Sequence, residues 1–179
     1  MTDEKLRERV ASLAVAQKET DKQQNEIDKL LKILAEQIGG LDNKFGSFTE
    51  GWAFPSMVKL LREHFKMESV ATNYQIKRGG KIMELDVFAH SNGELNTAYI
   101  VEVKSHLREE HIEQLLQQLN SLREFLPAHA NKKLYGILAG VNIPEQVKQK
   151  VLQQGLYLAV IHDEHFKLQV PKSFQVKAF

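Results

Sequence analysis

Between Leu6 and Leu41 apolar residues recur in alternating steps of four and three, which places them on one stripe of a helix. Gln17, Thr20 and Gln24 are the polar members in the middle of that stripe, and neither Gly nor Pro interrupts it before Gly39 and Gly40. The opposite face is too polar to sit in a globular core. The pattern therefore predicts a coiled-coil helix over residues 1–41 that makes the chain a homo-oligomer, with the number of strands open. The plainer alternative is a solitary helix lying on its own domain.

Past Gly40 the periodicity changes, and residues 42–179 read as one domain. Met57, Leu60, Leu61, His64 and Phe65 have helical spacing and predict a helix ending near Lys66. Its start is ambiguous, because Ser47 to Glu50 has the form of a capping box while Pro55 suits a first turn. The run from Val70 to His90 predicts a hairpin turning at Gly79 and Gly80, and the next turn falls in "SNGE". Thr97 to Lys104 is then a third strand, antiparallel to the second. A helix from about Leu107 to Leu126, closed by Pro127, follows on an apolar stripe that starts at Ile112. "KLYGILAG", a short helix from Pro144 to Gln154 and "LYLAVIH" form a strand, helix, strand unit, and "FKLQV" supplies an edge strand. The fold class is α/β, a mixed central sheet flanked by helices.

Composition narrows what such a fold can do. With 24 basic and 23 acidic residues the net charge is +1, so no overall field draws the chain to nucleic acid or an anionic membrane. Any such binding must be local. The sequence has no cysteine, which excludes thiolate metal sites and fits a reducing, cytoplasmic setting. No segment is apolar over a bilayer-spanning length, so no membrane partner is expected.

The third strand carries the informative anomaly. Charges are costly in a buried, Val- and Ile-rich run, yet "TAYIVEVKSHL" holds Glu102 and Lys104. Strand alternation sends Val101 and Val103 to one face and both charges to the other. Asp86 lies on the preceding strand, so two carboxylates can converge if register and face agree. Two hard oxygen donors plus a backbone carbonyl, such as that of Val103, make a partial Mg²⁺ or Mn²⁺ site with room for water and phosphate. Lys104 beside it can orient or help deprotonate water and offset phosphate charge. The competing reading is an ion pair on a solvated sheet face, with Asp86 a surface carboxylate.

Asp86 followed by Glu102-Val103-Lys104, on the second and third strands of a meander with a helix before and after, resembles the PD-(D/E)XK, or restriction-endonuclease-like, nuclease superfamily. The resemblance covers roughly residues 45–170, and uncharacterised prokaryotic members also carry a coiled coil ahead of this core. It implies that Asp86 and Glu102 bind the metal, that Lys104 is the catalytic lysine and that Glu50 matches an acid used near the metal. Glu50 equally fits the capping-box acid. Leu85 stands where the namesake proline would precede the aspartate, an absence shared by many members. His111, Gln114 and Gln118 share one side of the following helix, where members often place a glutamine near the site, although an exposed glutamine stripe is the ordinary explanation.

Other features carry less. Lys77, Arg78 and Lys81 surround the Gly79-Gly80 turn and can grip phosphates, or simply keep a hairpin tip soluble. Phe45, Phe48, Trp52 and Phe54 suit core packing better than base stacking, and His162 and His165 read as a turn. No Gly-rich phosphate loop is present. The expected function is a Mg²⁺- or Mn²⁺-dependent nuclease acting on DNA more than RNA. The alternatives are a nuclease-fold scaffold that binds nucleic acid or protein without cutting, and a subunit active only with a partner.

Overall fold

The computed structural model describes Leu13 and residues 17–20, 22–23, 53–162 and 165–179. Of the heptad stripe, Leu13, Gln17 and Thr20 are among these, and all three are helical and exposed. The rest of the stripe, Glu50 and Trp52 lie outside the described residues. The chain divides into Met1–Gly46 and Ser47–Phe179, and every element named below belongs to the second unit.

That unit is a six-stranded sheet in sequential order, β1 to β6. β1 (Ser69–Arg78), β2 (Lys81–Ser91) and β3 (Thr97–His106) form an antiparallel meander. β4 (Lys133–Asn142) and β5 (Tyr157–His162) continue parallel to β3, and β6 (His165–Leu168) closes the far edge antiparallel to β5. His162, the last residue of β5, pairs with His165, the first of β6, so both lie in strands. The parallel pairs need crossovers, supplied by α2 (Glu109–Phe125) and α3 (Glu145–Gln153), while α1 (Phe54–Glu63) precedes the sheet.

Two apolar layers hold these elements together. On one face Ala98, Ile100, Leu134, Leu138 and Leu158 pack against Ile112, Leu115, Leu119 and Leu122 of α2 and Val147 and Val151 of α3. On the other, Tyr99, Val101, Val103, Ile137 and Ala139 meet Phe54, Met57 and Leu61 of α1. Gly136 lets α2 approach β4, since a Cβ there would meet Leu119 Cδ1 at 2.8 Å and Leu156 Cδ2 at 2.7 Å. The helix before the meander starts with Pro55 in its first turn. It ends at Glu63, not near Lys66, because Lys66 takes a left-handed φ of 59° and Met67 N–H turns back to Leu61 O.

One irregularity positions the candidate site. β2 pairs with β3 only from Val87 to Ser91, so its first half has no strand on that side. Its facing also slips: Met83 and Leu85 share a layer with Phe88, while Val87 and Ala89 belong to the other. The slip falls at Asp86, and across from it Asn73 sits at φ 50° and leaves its rung of the β1–β2 ladder unmade. The free half of β2 lies along α2, where Gln118 Nε2 donates to Glu84 O at 3.0 Å in place of a strand partner.

Candidate active site

Asp86 stands where β2 and β3 part, and its carboxylate bridges the gap by accepting the Val103 N–H at Oδ2, 2.8 Å away. Strand alternation in β3 puts Glu102 on the opposite face from Val101 and Val103, beneath α2 rather than in solvent. Only 2% of Glu102 is exposed, against 27% of the Lys104 side chain. The pair is therefore no solvated ion pair. Glu102 Oε1 accepts from Lys104 Nζ at 2.8 Å and from Gln114 Nε2 at 2.9 Å, which offsets the cost of burying its charge.

The electrostatics follow from this crowding. Burial and the charge of Glu102 push the Asp86 carboxyl up from 3.8 to about 6, against the pull of the Val103 N–H, Lys104 and His111. Burial disfavours the Lys104 ammonium, but its hydrogen bond to Glu102 and the charges of Glu102 and Asp86 prevail and raise its pKa above the ordinary value. Lys104 is thus a held cation. His111, in the first turn of α2, is lowered by burial and by Lys104, and its Nδ1 accepts the Arg108 N–H at 3.0 Å. That bond leaves the ring proton on Nε2.

The sequence-derived residues accordingly divide. Asp86, Glu102, Val103, Lys104 and Gln114 come together. Gln118 lies one helical turn further on, and its amide acts on the backbone of β2 rather than on either acid. Arg78 borders a cleft with Gly79, Lys81, Glu124 and Phe125, about 15 Å along α2 from Gln114 at 1.5 Å per residue. The hydrophobic pattern passes over Asn73, whose signal is local: Asn tolerates left-handed backbone, so an Asn inside a strand-like run marks a distorted rung. Beside it a polar cavity of about 290 Å³ opens onto Asp86, lined by Asn73, Tyr74, Gln75, Glu84 and Leu85. A larger one, about 440 Å³ between α3 and the β5–β6 edge, touches none of the site residues.

No protein-family model matches the chain, and no curated protein does. Solved structures similar to it include a repair endonuclease from Pyrococcus abyssi, 18% identical over 60% of this chain and 46% of that one, with a TM-score of 0.43. EndoMS in complex with double-stranded DNA is 21% identical over 60% and 44%, with a TM-score of 0.38. A protein of unknown function from Silicibacter pomeroyi is 10% identical over 69% and 68%, with a TM-score of 0.39. The chain spans less than half the length of the first two.

Proposed function

We propose that the chain is a metal-dependent nuclease that hydrolyses phosphodiester bonds in DNA, built on Asp86, Glu102 and Lys104. The observation that carries this reading is the convergence of Asp86 and the Glu102–Lys104 pair at the parting of β2 and β3. The donor chemistry fits Mg²⁺ or Mn²⁺. Each acid has one oxygen engaged, leaving Asp86 Oδ1 and Glu102 Oε2 without a hydrogen bond among the described residues. Two hard oxygens of like charge, one of them with its pKa raised by burial and by the other, suit a hard divalent cation. In an extended strand the N–H and C=O of one residue point to the same side, so the Val103 carbonyl is a fitting third donor. The described residues offer no group of three His, Asp or Glu, so water, phosphate or Glu50 would complete the set.

Bound there, the ion would supply Lewis acidity toward phosphate and a more acidic water. The chain's own residues do the rest. Lys104, charged and held by Glu102, donates to a phosphate oxygen or to the attacking water and opposes charge growing on phosphorus-bound oxygens. Gln114 fixes the Glu102 carboxylate so that its second oxygen keeps one direction.

The test is incubation of the full chain with supercoiled, linear and single-stranded DNA and with RNA, in Mg²⁺, Mn²⁺ or EDTA. Cleavage should need the metal and fall at least a hundredfold in Asp86→Ala and Lys104→Ala. Cutting that survives chelation, or that persists in either variant, overturns the proposal. The scaffold reading rests on the presence of only two acids at the described site. It predicts a folded protein that binds no divalent ion in isothermal titration.

A further inference from the structure

The hairpin of β1 and β2 forms an arm whose base carries Asp86 and whose tip carries Lys77, Arg78 and Lys81. No carboxylate lies within ion-pair distance of these three among the described residues, and all three are exposed. A chain of net charge +1 thus concentrates three uncompensated cations within five positions. The tip projects, since nothing lies within 4 Å of a Cβ built at Gly79 or Gly80. Their φ values of 56° and 77° give the two left-handed residues that a tight two-residue turn needs, so the cations are held on a defined loop.

The arm is also anchored. Ile76, Met83 and Leu85 are buried in the α2 layer, Tyr74 packs against them, and Gln118 ties down the Glu84 carbonyl. Two acids border the track. Glu84 is bound by Gln75 Nε2 at 2.8 Å, and Glu124 shares the cleft under the tip with Arg78 and Lys81. From the cavity beside Asp86 the same two strands run on to the tip, so one continuous surface joins them. Asp86 lies five positions along β2 from Lys81, at most about 17 Å of extended strand. That is about five base pairs of duplex. The hairpin itself carries no aromatic residue between Gln75 and Met83, and Phe125 in the cleft under the tip is half-buried against the core, so the tip offers no fully exposed ring on which unstacked bases could lie.

We propose that the arm is a backbone clamp for duplex DNA, in which Lys77, Arg78 and Lys81 contact phosphates up to five base pairs from the one facing Asp86 and Glu102. Its register on the duplex rests on the nuclease reading, whereas its binding of DNA does not. The experiment measures binding of the full chain to a 20-base-pair duplex in EDTA across a salt series. A triple variant, Lys77→Ala with Arg78→Ala and Lys81→Ala, is compared with a control of equal charge loss at exposed sites, Lys59→Ala with Lys133→Ala and Lys172→Ala. The arm variant should lower the slope of log affinity against log salt by about 2.7, three phosphate contacts at 0.9 each, and the control should leave it nearly unchanged. Hydrolysis of bis(p-nitrophenyl) phosphate with Mn²⁺ should be the same in the arm variant as in the wild type.

Equal slopes for wild type and arm variant, equal losses in arm and control variants, or an arm-dependent affinity for anionic vesicles or single strands that exceeds that for duplex each overturn the clamp. Duplex binding of the expected kind without metal-dependent hydrolysis of either substrate sinks the nuclease reading and leaves the clamp standing. Hydrolysis of the small diester with no duplex binding does the reverse.

Discussion

Among the described residues Asp86 holds its place by a single backbone hydrogen bond, and it pays for its position in proton affinity. With its pKa raised to about 6 by burial and Glu102, its ionised form costs folding free energy at neutral pH, whereas the unfolded carboxyl titrates near 3.8. In EDTA, Asp86→Asn should therefore stabilise the fold above pH 6, on the order of 1 kcal/mol. The gain should shrink as pH falls below 6, where the native wild type takes up its proton, and vanish below 3.8. Urea unfolding at pH 7.5, 5.5 and 3.5 reads this directly; a gain that does not diminish on acidification would show that charge is not the cause. Glu102 poses the opposite problem, a buried carboxylate whose charge is offset at one oxygen, Oε1, by Lys104 and Gln114.

At the scale of elements, α2 joins the two acids. Gln114 holds the side chain of Glu102, and Gln118, one turn later, holds the backbone two residues before Asp86. Gln118→Leu keeps the volume and removes the donor, so the Glu84 carbonyl loses its partner and the free half of β2 loses its tie. The expected cost is about 1–2 kcal/mol of stability. Amide exchange at Val103 should also quicken more than that of the core strands, and kcat should drop with KM little changed. Unaltered Val103 protection with uniform destabilisation would reduce Gln118 to a packing residue. Charge alternation in β3 and the stripe of α2 were legible in the sequence, because period 2 and period 3.6 are local properties. The parting of β2 from β3 was not, since Asp86 lies within an unbroken apolar pattern and only Asn73 hints at the distortion. In the sequence Gln118 is one of several helix-face glutamines, and its target is set by the packing of the free half of β2 against α2.

Across the whole unit, a second buried polar cluster lies at the other end of β2. His90 and His129 pack with ring centroids 4.5 Å apart and planes tilted by 51°, both Nδ1 atoms buried without a hydrogen bond among the described residues, near Lys132, whose Nζ is bound by Ser91 O, Asn92 Oδ1 and Asn96 Oδ1. Burial lowers both imidazoles, aided by Lys132, with His90 adding to the effect on His129 and Glu68 partly opposing it on His90. Groups neutral in the native state and basic when unfolded stabilise the fold above pH 6.5 and cease to do so as pH falls. His129→Phe should therefore lose less stability than wild type between pH 7.5 and 5, read from urea midpoints; parallel curves would exclude the pair as a source of acid sensitivity. The succession of strands and helices along the chain and the segregation of Glu102 and Lys104 from their valine neighbours were determined by the sequence itself, through periodicities that need only adjacent residues. Which acids meet, how deeply Glu102 is buried and what Gln118 grips were decided by tertiary structure, because each depends on a strand leaving its neighbour and on a helix packed over the gap it leaves.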